Sequence, residues 1–240
     1  MAIPVAITKG GRERVPQASA LFAEAFATDP VITYILHNMP ESKRLTYLPK
    51  YFNALLTAAA LNDATFIEID DFKSCVTMMH PGKKVDNPWT LIPAGLVQML
   101  FDIGFGPCWR MLFEFSPMTD RCKLKGLRGQ KKYFYVFFTA TASSAQGQGL
   151  CTKLLNHWQD IASREKVPMW LEATTEKSMK IYAKCGFEVV ERMTLGKGKV
   201  EPKGLKPVKE GGSVKGKEEL EGVPIWAMVW WPEGSKPVGN

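Results

Sequence analysis

Two closely spaced glycines lie between a predicted strand and a predicted helix, and their position suits the binding of an anion. The run "QGQG" follows the apolar stretch "KYFYVFFTA" and precedes a helical pattern of leucines. A helix N-terminus carries unpaired N–H groups and a partial positive charge, and glycines before it leave those groups accessible to phosphates. The segment therefore predicts a pyrophosphate cradle, with a tight turn that binds no ligand as the alternative. Its residues are Gln146, Gly147, Gln148, Gly149, Leu150, Cys151 and Thr152.

Two other glycine-rich phosphate motifs do not fit this segment. A dinucleotide-binding fingerprint requires a third glycine at the position of Thr152. A Walker A loop requires Gly-Lys-Ser/Thr, whereas this chain has Gly149-Leu150-Cys151. The sequence therefore predicts neither a Rossmann nor a Walker nucleotide site.

The same segment resembles the Gln/Arg-x-x-Gly-x-Gly/Ala signature of the GNAT acetyltransferases, which binds the pyrophosphate of acetyl-CoA. Cys151 replaces the last small residue of that signature, and we expect slightly tighter packing there. Further along, Tyr182 to Phe187 matches the family's Tyr-x-x-x-Gly-Phe, while Thr175 replaces an asparagine that often contacts the cofactor. The resemblance covers about residues 132–190, and "AFATDPVITYIL" and "MHPG" are similar to segments of a fungal branch that acetylates small molecules. It implies acetyl-CoA as the acetyl-donor cosubstrate.

The resemblance also implies roles for residues near the thioester. Tyr182 matches the family's general acid. Because a free tyrosine has a pKa near 10 and a thiol one near 8.5, we expect it to hydrogen-bond the departing thiolate rather than to lose its proton. The alternative is a buried tyrosine with a satisfied hydroxyl. In the family a bulge at the end of the preceding strand frees main-chain groups for the acetyl and pantetheine arm, which here implicates Thr139, Ala140 and Thr141.

Glu172 is the candidate catalytic base. It lies within "MWLEAT", where its neighbours are apolar, so an ionisable side chain there needs a reason. An alkylamine with a pKa near 10 is only about 0.1% neutral at pH 7, and a base or a water relay would remove its proton. The alternative is a carboxylate that pairs with an arginine or caps a turn. No histidine has partners at metal-ligand spacing, so we predict no metal site.

The order of strand and helix signals predicts one α/β domain over residues 1–240. The order is β-α-α-β-β-α-β-α-β-α-β-β, with a helix over Glu41–Leu61 that Pro49 should kink or divide, and a hairpin at Asp70-Asp71. The resemblance implies a single GNAT-like domain, with a mixed, mostly antiparallel sheet of about seven strands and helices on both faces. A helical insertion is predicted at about 84–128, and a flexible Lys/Gly-rich loop at about 197–222.

Composition argues against several other classes of protein. The net charge is +7, but seven lysines fall between Lys197 and Lys217 among glycine, proline and glutamate, which is typical of a solvated loop rather than a nucleic-acid-binding arm. No apolar run approaches the roughly 18 residues that cross a bilayer, and the N-terminus lacks the apolar region of a signal peptide. The five cysteines form no CxxC pair. We expect a cytoplasmic monomer or homodimer without nucleic-acid or membrane partners.

The predicted function is transfer of an acetyl group from acetyl-CoA to a primary amine of a small molecule, directly within a ternary complex. Aromatic residues of the insertion could shape an apolar acceptor pocket or could pack over the sheet. They are Trp89, Phe101, Phe105, Trp109 and Phe113. A protein or peptide acceptor is the nearest alternative, which an open acidic groove would favour. A non-catalytic CoA-binding regulatory domain is the other, and in it Glu172 and Tyr182 would point away from the thioester.

Overall fold

A seven-stranded sheet organises the chain, of which the computed structural model describes residues 6–206 and 220–237. The strand order is β1-β2-β3-β4-β5-β7-β6. Every neighbouring pair is antiparallel except β4 and β5, which run parallel. The predicted mixed, mostly antiparallel sheet is therefore confirmed. The strands are β1 (Ile7–Gly10), β2 (Thr65–Ile69), β3 (Ser74–Met79), β4 (Phe134–Thr141), β5 (Met169–Ala173), β6 (Glu188–Leu195) and β7 (Val223–Trp230).

Helices cover both faces of the sheet, as predicted, and each face has its own buried cluster. The first face carries α1 (Val15–Ala25), α2 (Pro30–Ile35), α3 (Glu41–Leu61) and the helices of the insertion. The second carries α8 (Leu150–Glu165) and α9 (Glu176–Lys184). The segment predicted as an insertion, about 84–128, contains α4 (Pro88–Leu91), α5 (Leu96–Ile103), α6 (Phe105–Trp109), a π-helical segment (Arg110–Phe115) and α7 (Ser116–Gly126). Among the residues described, no helix is both long enough and apolar enough to cross a bilayer.

The first helices differ from the sequence analysis in two ways. No separate helix was predicted between α1 and α3, but α2 starts at Pro30. The Asp29 carboxylate accepts hydrogen bonds from the first N–H groups of α2, and Pro30 occupies its first position, where the missing N–H costs nothing. Pro49 does not divide α3, which is continuous. Buried Leu48 and Phe52 on either side of Pro49 hold both halves of α3 on the core.

A bulge in β4 changes which face its side chains point to. β3 residues 77 and 78 pair with Phe138 and Val136, so Phe137 has no partner on β3. Val136 therefore packs in the cluster under α8 and α9, whereas Phe138 packs against α1 and α3 on the opposite face. The bulge expected near Thr139 thus lies two residues earlier.

Strands β4 and β5 diverge after a short parallel contact. Their register is limited to Phe134 with Met169 and Tyr135 with Trp170, although β4 continues to Thr141. Within the described chain, the edge of residues 136–141 that faces β5 therefore has no neighbouring strand. An unpaired strand edge presents free N–H and C=O groups to any extended partner. This divergence determines where the cleft opens.

The lysine-rich loop predicted at about 197–222 lies partly outside the described residues. Its described ends are packed on the fold rather than free, since Val200 and Leu220 are buried. The Gly198 N–H donates to the Leu220 carbonyl at 2.8 Å, and the Gly222 N–H donates to the Val200 carbonyl at 3.0 Å. These bonds tie the two ends together at the β6–β7 connection.

Candidate active site

A cleft of about 920 Å³ opens where β4 and β5 diverge, and it collects nearly all of the predicted site residues. One wall comes from β4, β5 and the N-terminal ends of α8 and α9. The other comes from α2, α3 and the π-helical segment. Of the predicted residues, Gln148 alone does not line it; it is exposed beside the cleft mouth. Those that do are Thr139, Ala140, Thr141, Gln146, Gly147, Gly149, Leu150, Cys151, Thr152, Glu172 and Tyr182.

The glycine turn before α8 presents main-chain donors to this cleft. Gly147 and Gly149 have φ of 81° and 72°, the left-handed region in which glycine is favoured. A Cβ atom at either position would meet nothing within 4 Å, so the space above the turn is open. Within the described residues, the N–H groups of 146–152 donate to no protein acceptor. They are free to bind an anion, as a helix N-terminus of this kind can.

Lys177 is a cation that the sequence did not single out. Its ammonium donates to the Gln146 side-chain carbonyl at 2.8 Å and lines the mouth of the cleft. It therefore adds positive charge beside the open N–H groups. An exposed lysine in the first turn of α9 has no sequence signal that separates it from other surface lysines, and only the packing of α9 beside the turn reveals it.

Tyr182 lies on α9 between the glycine turn and the core. The residue is only 9% exposed, and its ring packs against Phe187 with centroids 6.2 Å apart. Among the residues described, its hydroxyl has no hydrogen-bond partner, although it lines the cleft. Burial, together with the neighbouring Cys151 and Asp29, raises the pKa of Tyr182 well above its ordinary value. The hydroxyl therefore stays protonated and can donate a hydrogen bond.

Glu172, on β5, is held by two neighbouring side chains of the same wall. One carboxylate oxygen accepts from the Tyr135 hydroxyl at 2.8 Å and the other from the Trp170 indole N–H at 2.6 Å. The Lys123 ammonium lies behind this group, 5.1 Å from the centre of the Tyr135 ring. Burial tends to lower the pKa of Lys123, but the Glu172 carboxylate and other neighbours reverse this and raise it. Glu172 is thus fixed in orientation and has a cation close by.

Cys151 lines the cleft but is poorly suited to attack a thioester. Burial raises the pKa of its thiol to about 11, so it is almost entirely protonated at neutral pH. Its sulfur lies 3.7 Å from the Thr139 hydroxyl. Because the thiolate is the nucleophile, this environment disfavours attack by Cys151.

Asp29 is an acidic cleft residue that the sequence analysis missed. One oxygen accepts from the Val31 and Ile32 N–H groups at 2.9 and 3.0 Å, and the other accepts from the Thr174 hydroxyl at 2.5 Å. Burial raises its pKa to about 6, although these hydrogen bonds act in the opposite direction. Such a pKa suits a general base near neutral pH. The sequence contained an N-cap signal, Asp-Pro before an apolar run, but not its position in the cleft.

The segment 84–128 both contributes to the cleft and packs on the core, but not through the five aromatic residues that the sequence analysis named. Their side chains face solvent, with relative exposures from 51% for Trp109 to 89% for Trp89. Two other residues of the π-helical segment, Met111 and Phe115, line the cleft instead. The regular 3.6-residue period does not hold through a π-helix, so the sequence could not show which side chains turn inward.

The divergent strands, the glycine turn and the two cleft walls are those of the GNAT fold, which solved structures share over nearly the whole chain. Residues 103–187 match the family described as Acetyltransferase (GNAT) family, and over those residues the chain is similar to it. An uncharacterized N-acetyltransferase of Schizosaccharomyces pombe is 25% identical over 172 residues, which is 71% of this chain and 69% of that protein.

Solved structures show the same fold at low sequence identity. One, from Corynebacterium glutamicum and described as a histone acetyltransferase and related acetyltransferase, is 18% identical with a TM-score of 0.60; it covers 99% of this chain and all of that one. Another, an agmatine N-acetyltransferase, is 9% identical with a TM-score of 0.60; it covers 95% of this chain and all of that one. The two differ in the acceptor that their descriptions name, so the acceptor of this chain has to be argued from its own cleft.

Proposed function

We propose that this chain is an acetyl-CoA-dependent N-acetyltransferase that modifies a primary amine of a small molecule by direct transfer. The observation that carries the proposal is the convergence, in one cleft, of three features that lack partners among the residues the structure describes: the N–H groups of residues 146–152, the β4 edge that faces β5 and the Tyr182 hydroxyl. The three features meet only because β4 and β5 diverge.

The residues of the cleft fit the parts of acetyl-CoA. When bound, that cosubstrate supplies an acetyl group activated as a thioester. The N–H groups of 146–152 and the Lys177 ammonium would hold the diphosphate. The free β4 edge over 136–141, which includes Thr139, Ala140 and Thr141, would hydrogen-bond an extended amide-containing arm as a strand does. Tyr182 would donate a hydrogen bond to the leaving thiolate, in keeping with its raised pKa.

The shape of the acceptor wall supports a small molecule over a protein. Val31, Ile35 and Tyr51 line it and are each at most 5% exposed, so α2 and α3 form a well-packed and largely apolar wall here. A peptide bound in extended form requires an open groove, and an acidic one would suit a lysine-containing segment. The charged residues of the cleft lining are Asp29, Glu172 and Lys177, which do not make an acidic groove.

Acetyl-CoA turnover tests the proposal directly. Purified protein, acetyl-CoA and a panel of primary amines should release free thiol in an amine-dependent way, and calorimetry should show acetyl-CoA binding without an amine. Binding without turnover against every amine would favour the non-catalytic CoA-binding domain. The absence of both would overturn the proposal.

Two carboxylates, Glu172 and Asp29, are candidate acceptors for the proton of the amine. The pH dependence of turnover in variants of each residue distinguishes between them. We expect turnover of the wild type to fall below about pH 6 as Asp29 takes up a proton. If Asp29 is the base, Asp29→Asn should lower turnover at least tenfold and should remove this fall in turnover at acidic pH. Glu172→Gln should retain the same fall at acidic pH, because the amide oxygen still accepts a hydrogen bond from one of the two partners of Glu172. If Glu172 is the base, Glu172→Gln should instead abolish turnover while Asp29→Asn leaves the profile unchanged.

A further inference from the structure

The acceptor end of the cleft is built almost entirely from apolar side chains. Three separate elements supply them: α2, α3 and the π-helical segment. They are Val31, Ile32, Ile35, Leu55, Met111 and Phe115. Apolar groups contribute to binding by removing apolar ligand surface from water, at roughly 25 cal/mol per Å². This end therefore suits a ligand with a sizeable apolar body.

Aromatic rings add a rigid wall to the same region. Phe26 and Phe138 line the cleft and meet edge to face, with ring centroids 5.6 Å apart and an interplanar angle of 85°. Both pack in turn on Phe52, at 5.5 and 5.2 Å. A wall fixed by several ring contacts keeps its shape, and ring-sized ligands pack on it by the same edge-to-face geometry.

The charges of the cleft leave room for one cationic nitrogen. Lys177 lies on the cosubstrate side, bonded to Gln146. Glu172 and Asp29 each accept hydrogen bonds at both oxygens. They differ in that the Lys123 ammonium lies near Glu172, whereas Asp29 has no cationic partner in the described structure. A second ammonium or a carboxylate on the ligand would be buried here without a partner, which is strongly unfavourable.

We propose that the acceptor is a hydrophobic monoamine: one primary amino group on an apolar, ring-sized body, with no second charge. This inference rests on the proposed acetyltransferase function and narrows its acceptor. The amino group would lie towards Asp29, and the apolar body would contact Phe115 and the α2–α3 wall. Polyamines, amino acids and lysine-containing peptides are excluded by their additional charges or by their size.

Two pairs of amines that differ by a single charge test the proposal. 2-Phenylethylamine and phenylalanine differ by one carboxylate, and pentylamine and 1,5-diaminopentane differ by one ammonium. We expect kcat/KM to be at least 100-fold higher for 2-phenylethylamine than for phenylalanine, and at least 100-fold higher for pentylamine than for 1,5-diaminopentane. Of the four compounds, 2-phenylethylamine should be acetylated best. Equal or better turnover of phenylalanine, 1,5-diaminopentane, spermidine or a lysine-containing peptide would overturn the inference while leaving the acetyltransferase function intact.

A matched pair of variants locates the binding wall. Phe115 lines the cleft, whereas Phe113 on the same segment faces solvent at 58% exposure. Phe115→Ala should raise the KM for 2-phenylethylamine at least tenfold without changing acetyl-CoA affinity, and Phe113→Ala should change neither by more than twofold. Equal effects of the two variants would overturn the assignment of this wall. A protein that binds no acetyl-CoA by calorimetry would instead overturn the proposed function, and the inference with it.

Discussion

Tyr182 is a largely buried residue whose hydroxyl has no protein partner within the described part of the chain. A hydroxyl that reaches a cleft can bond to water or to a ligand atom. Here the neighbouring ring of Phe187 fixes the side chain, and the hydroxyl lines the cleft. Its raised pKa keeps the proton in place. At the residue scale the structure therefore presents a donor held ready for a ligand atom.

Replacing Tyr182 with phenylalanine tests this donor. We expect Tyr182→Phe to lower turnover at least tenfold, because a hydrogen bond to the leaving thiolate is made chiefly in the transition state. Acetyl-CoA affinity should barely move. Steady-state kinetics and calorimetry measure the two effects, with Tyr133→Phe as the control, since Tyr133 lies outside the cleft lining. Equal losses of turnover and affinity would make Tyr182 a structural residue.

At the scale of single elements, α2 and α8 both begin at the cleft, and each start has a functional consequence. The N-cap of α2 is Asp29, whose burial is unfavourable for the ionised carboxylate. The start of α8 is Gly149 in a left-handed conformation, which leaves the first N–H groups open. One helix start thus provides a titrating acid, and the other provides donors for an anion.

The cap of α2 should make stability depend on pH. The folded pKa of Asp29, about 6, lies above its ordinary value of 3.8, so folding favours the protonated form. This contribution is fully present below pH 3.8 and is lost as pH rises through 6. Because Asn caps a helix about as well as Asp, Asp29→Asn should keep α2. Denaturant unfolding at pH 5 and pH 8 should show the wild type losing about 1–2 kcal/mol more than Asp29→Asn. Identical losses would contradict this prediction.

The start of α8 gives a second prediction. Gly149→Glu should weaken acetyl-CoA binding by more than 100-fold, because a carboxylate would face the diphosphate. Gly129→Glu is the matched control: Gly129 also has positive φ, at 83°, and also has nothing within 4 Å of a Cβ atom. The Gly129→Glu variant introduces only the backbone strain of a side chain at positive φ, about 1–2 kcal/mol, and places no carboxylate beside the diphosphate. Calorimetry measures both affinities. Wild-type affinity in Gly149→Glu would remove the cradle assignment.

At the scale of the whole molecule, the sheet is weakest where it is expected to bind. β4 and β5 share only two paired positions, although β5 is paired along its whole length with β7 and β4 along most of its length with β3. A ligand that fills the gap would join the two halves of the sheet through its own hydrogen bonds. Binding and global stability should therefore be linked, since any ligand that binds only the folded state stabilises it.

Acetyl-CoA at about 100 times its Kd should stabilise the fold by about 2.7 kcal/mol. For a chain of 240 residues this corresponds to a rise in Tm of about 5–10 °C. Amide hydrogen exchange should slow in residues 136–141 and 146–152, while the β2–β3 hairpin over 65–79 serves as the internal control. Protection that is spread evenly over the sheet, or absent from these two segments, would contradict the proposed mode of binding.

The sequence predicted those parts of the site that are local in the chain. The strand, the glycine turn and the helix start around Gly149 are contiguous, so residue type and spacing were sufficient to predict them. Tyr182 was found by its motif. The number of strands also followed from the strand signals, while the resemblance supplied the sheet type and the helices on both faces. The α2 helix was missed because an Asp-Pro pair both ends one helix and starts the next.

What the sequence by itself determined is therefore the conformation of short segments, because φ restrictions and the unpaired groups of a helix start depend on a few neighbouring residues. Only the tertiary structure decided which side chains share the cleft. Asp29 meets Thr174 across 145 residues of chain, and Phe115 turns inward while Phe113 faces solvent. Such placements depend on how distant elements pack and on the irregular period of a π-helix, and neither is encoded in local spacing.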